Sequence, residues 1–467
     1  MTKTVIVSIT VKAGNGKARE TKIAVKSDEF ESEVTEIKEK IAEEVGEAVL
    51  KEYERSLRNE EYRGGKILRT EKRTYTFQTW NLSFYRRIYQ MADGSIRKPI
   101  DELLNFTKYC RRSQRASEQI CVLAAEASYR KTAEINGYIT HHQISASTVR
   151  REVKNMGGKL DTQDQEFLAD DPGTISSPVL FGESDGIWLS LQHEKEKRAE
   201  VRVAVTYTGK KAISDKRKRL ENKMVMTAID VPVRVWEEQI REKIYSTYNL
   251  KAAKLLVIGG DGGKWVGNSF DLVGIPHTER VLDPFHVIRN IKKAFGNVID
   301  TDSVIKDLYQ HGFGSVEDVL QEATAKGTSG GKKDRKECLV YLRNHADEIV
   351  PLSKRNLPFF HLCSLGSMES NVGKLVAQRM KTRGCSWRKD GAKGMLAILR
   401  HQSELAQHVF RYKDIQISTQ KKILKRYKQP SEYGTIPHGS FPILNSGKIS
   451  SPYASLFKAI IDVDLPL

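Results

Sequence analysis

Hydrophobic positions change period several times along the chain. Val5, Val7, Ile9 and Val11 alternate with polar residues, GNG interrupts, and Ile23 and Val25 resume, so the first stretch predicts a β-hairpin. From Asp28 to Arg58 the spacing becomes three and four: Phe30, Val34, Ile37, Ile41, Val45 and Val49 form the stripe of an amphipathic helix. The protein's own core is the expected partner of that stripe, with a dimer contact as the sharper alternative. Residues 62–98 mix β-branched, aromatic and basic residues around a DG turn and predict a small antiparallel sheet. Its Arg63, Lys66, Arg69, Lys72, Arg73, Arg86 and Arg87 interleave with Tyr75, Phe77, Trp80, Phe84 and Tyr85, a composition suited to a nucleic-acid backbone, although such aromatics more often pack a core.

Residues 113–157 carry two helical patterns, a break from Gly137 to Gln143, and a third helix capped by Ser145, with Val149, Val153 and Met156 on one face. This is a helix-turn-helix pattern. The outer face of the last helix offers Ser147, Arg150, Arg151 and Lys154 to a major groove, where arginine suits phosphate or guanine. A polar linker is expected over 157–178. Beyond it the pattern becomes α/β: VLFGESDGIWLSL, EVRVAVTYTG, KMVMTAID, the helix-like VWEEQIREKIYSTYNL, KLLVIGGDG and ERVLDPFHVIRNIKKAF. A helical region follows from 287 to 360, then helices near Ser367–Lys381 and Gly391–Val409.

With 467 residues the chain exceeds one ordinary domain. Its 77 Lys+Arg against 59 Asp+Glu leave +18, which favours a polyanionic partner, nucleic acid first. Cys110, Cys121, Cys338, Cys363 and Cys385 form no CxxC and no Cys/His pairing, so neither a disulfide framework nor a zinc ribbon is expected. The first residues do not read as a signal peptide, and no run reaches the length of a membrane span.

VIGGDGGKW, residues 257–265, places one carboxylate among four glycines. A phosphate loop would follow its lysine with Ser or Thr, but Trp265 follows Lys264, and the dinucleotide fingerprint fails too. What remains is Asp261 at the carboxyl end of a buried strand. Three strands, a helix, a strand and a helix is the order of the ribonuclease-H-like fold, in which acids project from the middle of the first strand, the end of the fourth and a later helix. Two divalent cations need oxygens converging from separate elements. Asp185 lies within an otherwise apolar strand, Asp261 ends its own, and Glu369 opens a helix in SMESNVGKLVAQRM. Each alone could be a turn or cap residue. Jointly, in this order and downstream of a helix-turn-helix, they predict a DDE site, with Glu183 and Asp283 as neighbouring acids able to substitute.

SDGIWLSLQ…EVRVAVTYTG, GGDGGKW, VLDPFHVIRNI and SMESNV…AQRMKTRGCSWRKDGAKGM, with the upstream RRIYQMADG…PIDELL and the helix-turn-helix, resemble the DDE transposases of bacterial ISLre-type insertion sequences over most of residues 60–400. The resemblance implies that Asp185, Asp261 and Glu369 bind two Mg²⁺ ions, replaceable by Mn²⁺. It implies cleavage and joining of double-stranded DNA, both element ends and target, by a homo-oligomer in the bacterial cytoplasm at the nucleoid. Lys264 would flank the site, and Arg379, Lys381 and Arg383 would hold the DNA backbone. His286 either faces the metals or is satisfied locally at its helix start.

The expected organisation is a hairpin and amphipathic helix (1–60), a small basic β region (61–110), a helix-turn-helix domain (111–158) and an α/β catalytic core. That core is ribonuclease-H-like with a mixed five-stranded sheet, divided into 175–290 and 361–410 around a helical insertion (291–360), and a tail follows (411–467). The alternatives are a structure-selective nuclease on the same fold and an inactive DNA-binding regulator derived from a transposase.

Overall fold

The computed structural model describes residues 4–12, 18–26, 29–59, 61–104, 106, 111–166, 172–214, 217–326, 329–359 and 362–410; the tail expected over 411–467 lies outside them. β1 (Thr4–Lys12) and β2 (Ala18–Lys26) pair antiparallel. The long helix α1 (Phe30–Asn59) then crosses a second sheet of β3 (Lys66–Thr76), β4 (Asn81–Gln90) and β5 (Ile96–Arg97), which is followed by α2 (Pro99–Leu103). Leu50, Tyr75, Leu82, Phe84 and Ile100 form the core between them.

The expected apolar stripe of α1 is not the face it buries. Ile37 is buried, but Phe30, Val34, Ile41, Val45 and Val49 are between 36% and 63% exposed. The helix docks through another side, where Gly46 lets it approach Leu82 and Trp80 so closely that a Cβ would lie 3.1 Å from each. The sheet aromatics pack inward: Tyr75 stacks on Phe106 at 3.6 Å and Phe77 on Trp80 at 4.3 Å, leaving Tyr85 exposed.

Three helices follow: α3 (Gln114–Glu126), α4 (Tyr129–Thr140) and α5 (Ala146–Glu166). Side-chain oxygens of Ser113, Ser128 and Ser145 accept from the first-turn amides of Ala116, Lys131 and Thr148. The break is shorter than expected. Gly137 stays helical, and His141 at φ 49° ends α4. Gly157 does not open a linker either, because α5 runs through it. A Cβ there would stand 2.3 Å from the carbonyl of Gly394, so both glycines serve a close helix crossing.

The central sheet has six strands, ordered β10 (Met224–Ile229), β7 (Arg198–Tyr207), β6 (Val179–Leu191), β11 (Leu255–Gly260) and β12 (His277–Leu282), with β13 (Ser386–Trp387) beside the far end of β6. β7 runs antiparallel to its neighbours; β11, β12 and β13 run parallel to β6. The expectation was five strands, and a two-residue strand is too short to show a period. β8 (Gly209–Ser214) and β9 (Arg217–Glu221) form a separate hairpin between β7 and β10.

Alternation along the strands gives the sheet two apolar faces. Leu180, Leu256 and Ile258 pack on α6 (Val233–Thr247) through Trp236, Ile240 and Ile244, near the short α7 (Lys264–Asn268). Phe181, Val203 and Val257 meet Val149 and Val153 of α5 and Met395 and Ile398 of α15 (Lys389–Arg400). Between β12 and the returning chain lie α8 (Pro284–Phe295), α9 (Thr301–His311), α10 (Glu317–Thr324), α11 (Ser329–Asn344) and α12 (Ala346–Ile349), gathered on Val287, Ile291, Phe295, Leu308, Leu320 and Leu342. A helical run then comprises α13 (Met368–Val372), a π turn over Gly373–Ala377 and α14 (Gln378–Met380), and α16 (Gln402–Phe410) closes the described chain. The described residues, 4 to 410, belong to one compact unit.

Candidate active site

Parallel register puts three acids at one level of the sheet. Gly259 pairs with Glu183 of β6, and Gly260 pairs with Leu282 of β12. Continuing both ladders sets Asp261 between Asp185 and Asp283, on strands about 4.8 Å apart. The glycines of VIGGDGG make room for this. A Cβ on Gly259 would lie 2.8 Å from Leu365, and one on Gly260 2.2 Å from Val266. Gly262 takes φ +86°, and Tyr341 donates its hydroxyl to the Asp261 carbonyl at 2.9 Å.

Each aspartate is steered by one local amide: Gly186 N–H to Asp185 at 2.7 Å, Gly263 N–H to Asp261 at 2.8 Å, and Phe285 N–H to Asp283 at 2.9 Å. In each case Oδ1 is the acceptor, and among the described residues Oδ2 has no hydrogen-bond partner. None of the three makes an ion pair with lysine or arginine there either. Burial raises the carboxyl of Asp185 above its usual range, with Asp261 and Asp283 adding repulsion, against the Gly186 bond and His286. Burial likewise raises Asp283, with Glu183 and Asp261 adding to it, opposed by the Phe285 amide and His286. Buried or half-buried acids, each with a free oxygen and no lysine or arginine partner among the described residues, suit a bound divalent cation. Among the described residues no group of three or more His, Cys, Asp or Glu is arranged to hold a metal. Glu369, the second residue of α13, has its side chain outside them.

Glu183 does different work from Asp185, two residues away. It is 1% exposed and accepts from the Tyr207 hydroxyl at 2.6 Å, from Gly366 and Ser367 amides at 3.0 Å each, and from the Ser367 hydroxyl at 2.5 Å. This carboxylate therefore pins the backbone just before α13, fixing where the helix bearing Glu369 begins.

The basic residues expected on DNA are scattered. Arg150, Arg151 and Lys154 are exposed on α5, with Lys154 in an ion pair to Asp390 at 2.8 Å, while Ser147 bonds Ser145 at 2.7 Å. Lys264 is exposed at the start of α7, and Lys381 is exposed after α14. Arg383 has its side chain outside the described residues. Arg379 departs from expectation: its guanidinium lies 5.0 Å from the Trp387 ring centre and 5.4 Å from that of Tyr129, and bonds the Ala124 carbonyl at 2.5 Å. Its charge braces α3 and α4 against β13 instead of facing outward.

A model of the family described as "Uncharacterised protein family (UPF0236)" matches residues 21–408. The chain belongs to this family. A "UPF0236 protein in vanSb 3'region" of Streptococcus gallolyticus is 24% identical over 415 residues, 85% of this chain and 88% of that protein. Another UPF0236 protein, from Caldanaerobacter subterraneus subsp. tengcongensis, is 21% identical over 385 residues, 79% of this chain and 76% of that one, and its name joins eleven locus designations. The Drosophila P element transposase strand transfer complex overlaps 63% of this chain and 80% of that chain at 11% identity, with a TM-score of 0.23, a likeness too slight to carry fold or function.

Sequence reasoning missed Tyr207 and Ser367 of this UPF0236 chain. Tyr207 ends a β-branched strand and looks like ordinary filling. Ser367, just ahead of a helix, looks like a cap, yet its hydroxyl serves Glu183.

Proposed function

We propose that this UPF0236 protein is a metal-dependent DDE transposase that binds insertion-sequence ends, cuts DNA strands and joins them to a target. The observation that carries the reading is the levelled pair Asp185 and Asp261, on adjacent parallel strands, with no lysine or arginine paired to either among the described residues. The sheet order supports it. With β6 as the first strand the path reads third, second, first, fourth, fifth, only the second antiparallel, as in the ribonuclease-H-like core; its acids then fall mid-first and after the fourth. On this reading α3–α5 are the helix-turn-helix that holds the element end, and the exposed stripe of α1 suits assembly of copies on DNA in the bacterial cytoplasm. A relative known from eleven loci fits an element that copies itself, which favours a transposase over a nuclease or a silent regulator.

Asp185, Asp261 and Glu369 would hold two Mg²⁺, which when bound supply charge relief at the phosphorus and a more acidic attacking hydroxyl. The chain's own residues do the rest. The Gly186 and Gly263 amides aim two carboxylates, Glu183 sets the start of the Glu369 helix, and His286 favours the charged forms of Asp185 and Asp283. The test is incubation of the protein with Mg²⁺ and DNA carrying the sequences that flank its coding frame, against Asp185→Asn. Joined products lost in the variant support the reading. Cutting without joining indicates a nuclease, binding alone a regulator, and joining undiminished in the variant removes the site.

A further inference from the structure

A groove of about 1020 Å³ opens between the β8–β9 hairpin and α13. Lys210, Lys211, Lys218, Arg219, Lys223 and Lys374 line it, with Glu221 the one acid on its walls among the described residues. Among the described residues none of these six cations forms an ion pair, unlike Lys154, Lys243 or Arg400 elsewhere on the protein. Two are held by neutral groups across the groove: Lys210 donates to the Ser364 carbonyl at 2.5 Å and Lys223 to Asn371 Oδ1 at 2.6 Å. Burial and the neighbouring charge of Lys374 pull the Lys223 ammonium below its ordinary value. Like charges gathered without an anion are costly to the empty protein, and a phosphate between them would relieve that cost.

The position matters as much as the charge. Gly366 and Ser367 form part of the groove wall, and their amides are the ones that bond Glu183. The groove therefore runs up to the start of α13, one carboxylate away from the acid level of the sheet. Among the described residues its lining holds no aromatic side chain on which a base could stack, and Leu220 is the large apolar residue there. Such a surface reads backbone, not sequence.

We propose that this groove binds the phosphodiester backbone of the DNA strand being cut and leads it to the carboxylates, an assignment that rests on the function proposed above. The hairpin acts as one jaw, with Lys211, Lys218 and Arg219 on it, and Lys374 in the π turn stands on the other.

The test uses the full chain, a fluorescent DNA duplex of arbitrary sequence and a salt series, with plasmid nicking in Mg²⁺ measured alongside. The variants are the exposed triple Lys211→Gln/Lys218→Gln/Arg219→Gln and, should that fail to fold, Lys223→Gln/Lys374→Gln. Loss of two or three phosphate contacts lowers the slope of log affinity on log salt by roughly 2 to 3 and the affinity by about tenfold or more. Wild-type affinity and slope in a folded variant, while wild type still nicks DNA, overturn the groove and leave the enzyme standing. A reduced slope where wild type never nicks keeps the groove and removes the enzyme. Absence of DNA binding by wild type removes both.

Discussion

Two acid clusters in this protein differ in who neutralises them. At the interface of α5, α6 and α15, Asp161 and Asp164 meet Arg400 at 2.5 and 3.1 Å, while Lys243 and His401 each reach Asp164 at 3.1 Å. Against its burial, these partners hold the Asp164 carboxyl far below its usual range, and Asp164 raises the His401 imidazole. On the sheet, in mid-β6 and just past β11 and β12, Asp185 and Asp283 flank Asp261 with no lysine or arginine paired to them among the described residues, and burial raises Asp185 and Asp283, opposed in part by His286. A cluster that fastens helices brings its own counter-charge. One that lacks it is costly to the folded state unless something else supplies the charge, and that makes it the better candidate for chemistry.

The largest effect expected from breaking this contrast is in Asp185→Asn, which keeps shape and removes charge. Cleavage by the proposed enzyme should fall at least about 10³-fold, near 4 kcal/mol of barrier, with DNA affinity in metal-free buffer unchanged; wild-type rates in a gel assay would dissolve the distinction. Arg400→Ala attacks the other cluster: it removes the guanidinium shared by two mostly buried carboxylates, leaving Asp164 with Lys243 and His401 and Asp161 with only Lys393 at 4.0 Å. Denaturant unfolding should show a loss of about 3 kcal/mol, with cleavage per folded molecule preserved. Glu183→Gln falls between the two kinds, since its oxygen can keep the Gly366 and Ser367 amides but its NH₂ then meets the Tyr207 and Ser367 hydroxyls that donate to the carboxylate. A 10–100-fold loss of cleavage is expected, as for a residue that orients a ligand from behind; an unchanged rate would mean that α13 is placed without it.

The sequence shows the contrast only in part. Strand order and the acids at strand ends are legible because buried strands are near-continuous apolar runs, and a charge inside or after one stands out. The paired cluster is invisible, because Asp161 and Asp164 meet Arg400 only after α5 and α15 cross. Gly157 misleads for the same reason: a glycine that breaks a helix and one that permits a crossing look alike until its partner Gly394 is known. The stripe of α1 shows where apolar residues lie on the helix, but Gly46 decides which side meets the sheet. Arg379 reads as a surface charge, since nothing in its neighbourhood along the chain announces Tyr129 or Trp387.

The smallest expected effect separates the clusters by sign. A carboxyl whose value is raised on folding binds protons better in the native state, so the stability it contributes is present below the ordinary carboxylate range and lost as pH rises through the raised value. Asp185 and Asp283 behave in this way. Asp164 is lowered, so its contribution is present above the ordinary range and lost as pH falls through its depressed value. Asp283→Asn isolates the first sign, because asparagine still caps α8 as aspartate does. In metal-free buffer near neutral pH the variant should melt above wild type, and the gap should close as pH falls into the carboxylate range. Saturating Mg²⁺ should reverse the order, since a cation at a hundred times its Kd adds about 2.7 kcal/mol to the protein that binds it and less to one with a weakened acid level. Thermal melts of both proteins at two pH values, with EDTA and with Mg²⁺, decide it: a variant never more stable than wild type without metal, or stabilised by Mg²⁺ in the same measure as wild type, would show that Asp283 does not belong to a charge-starved level beside the proposed cation site.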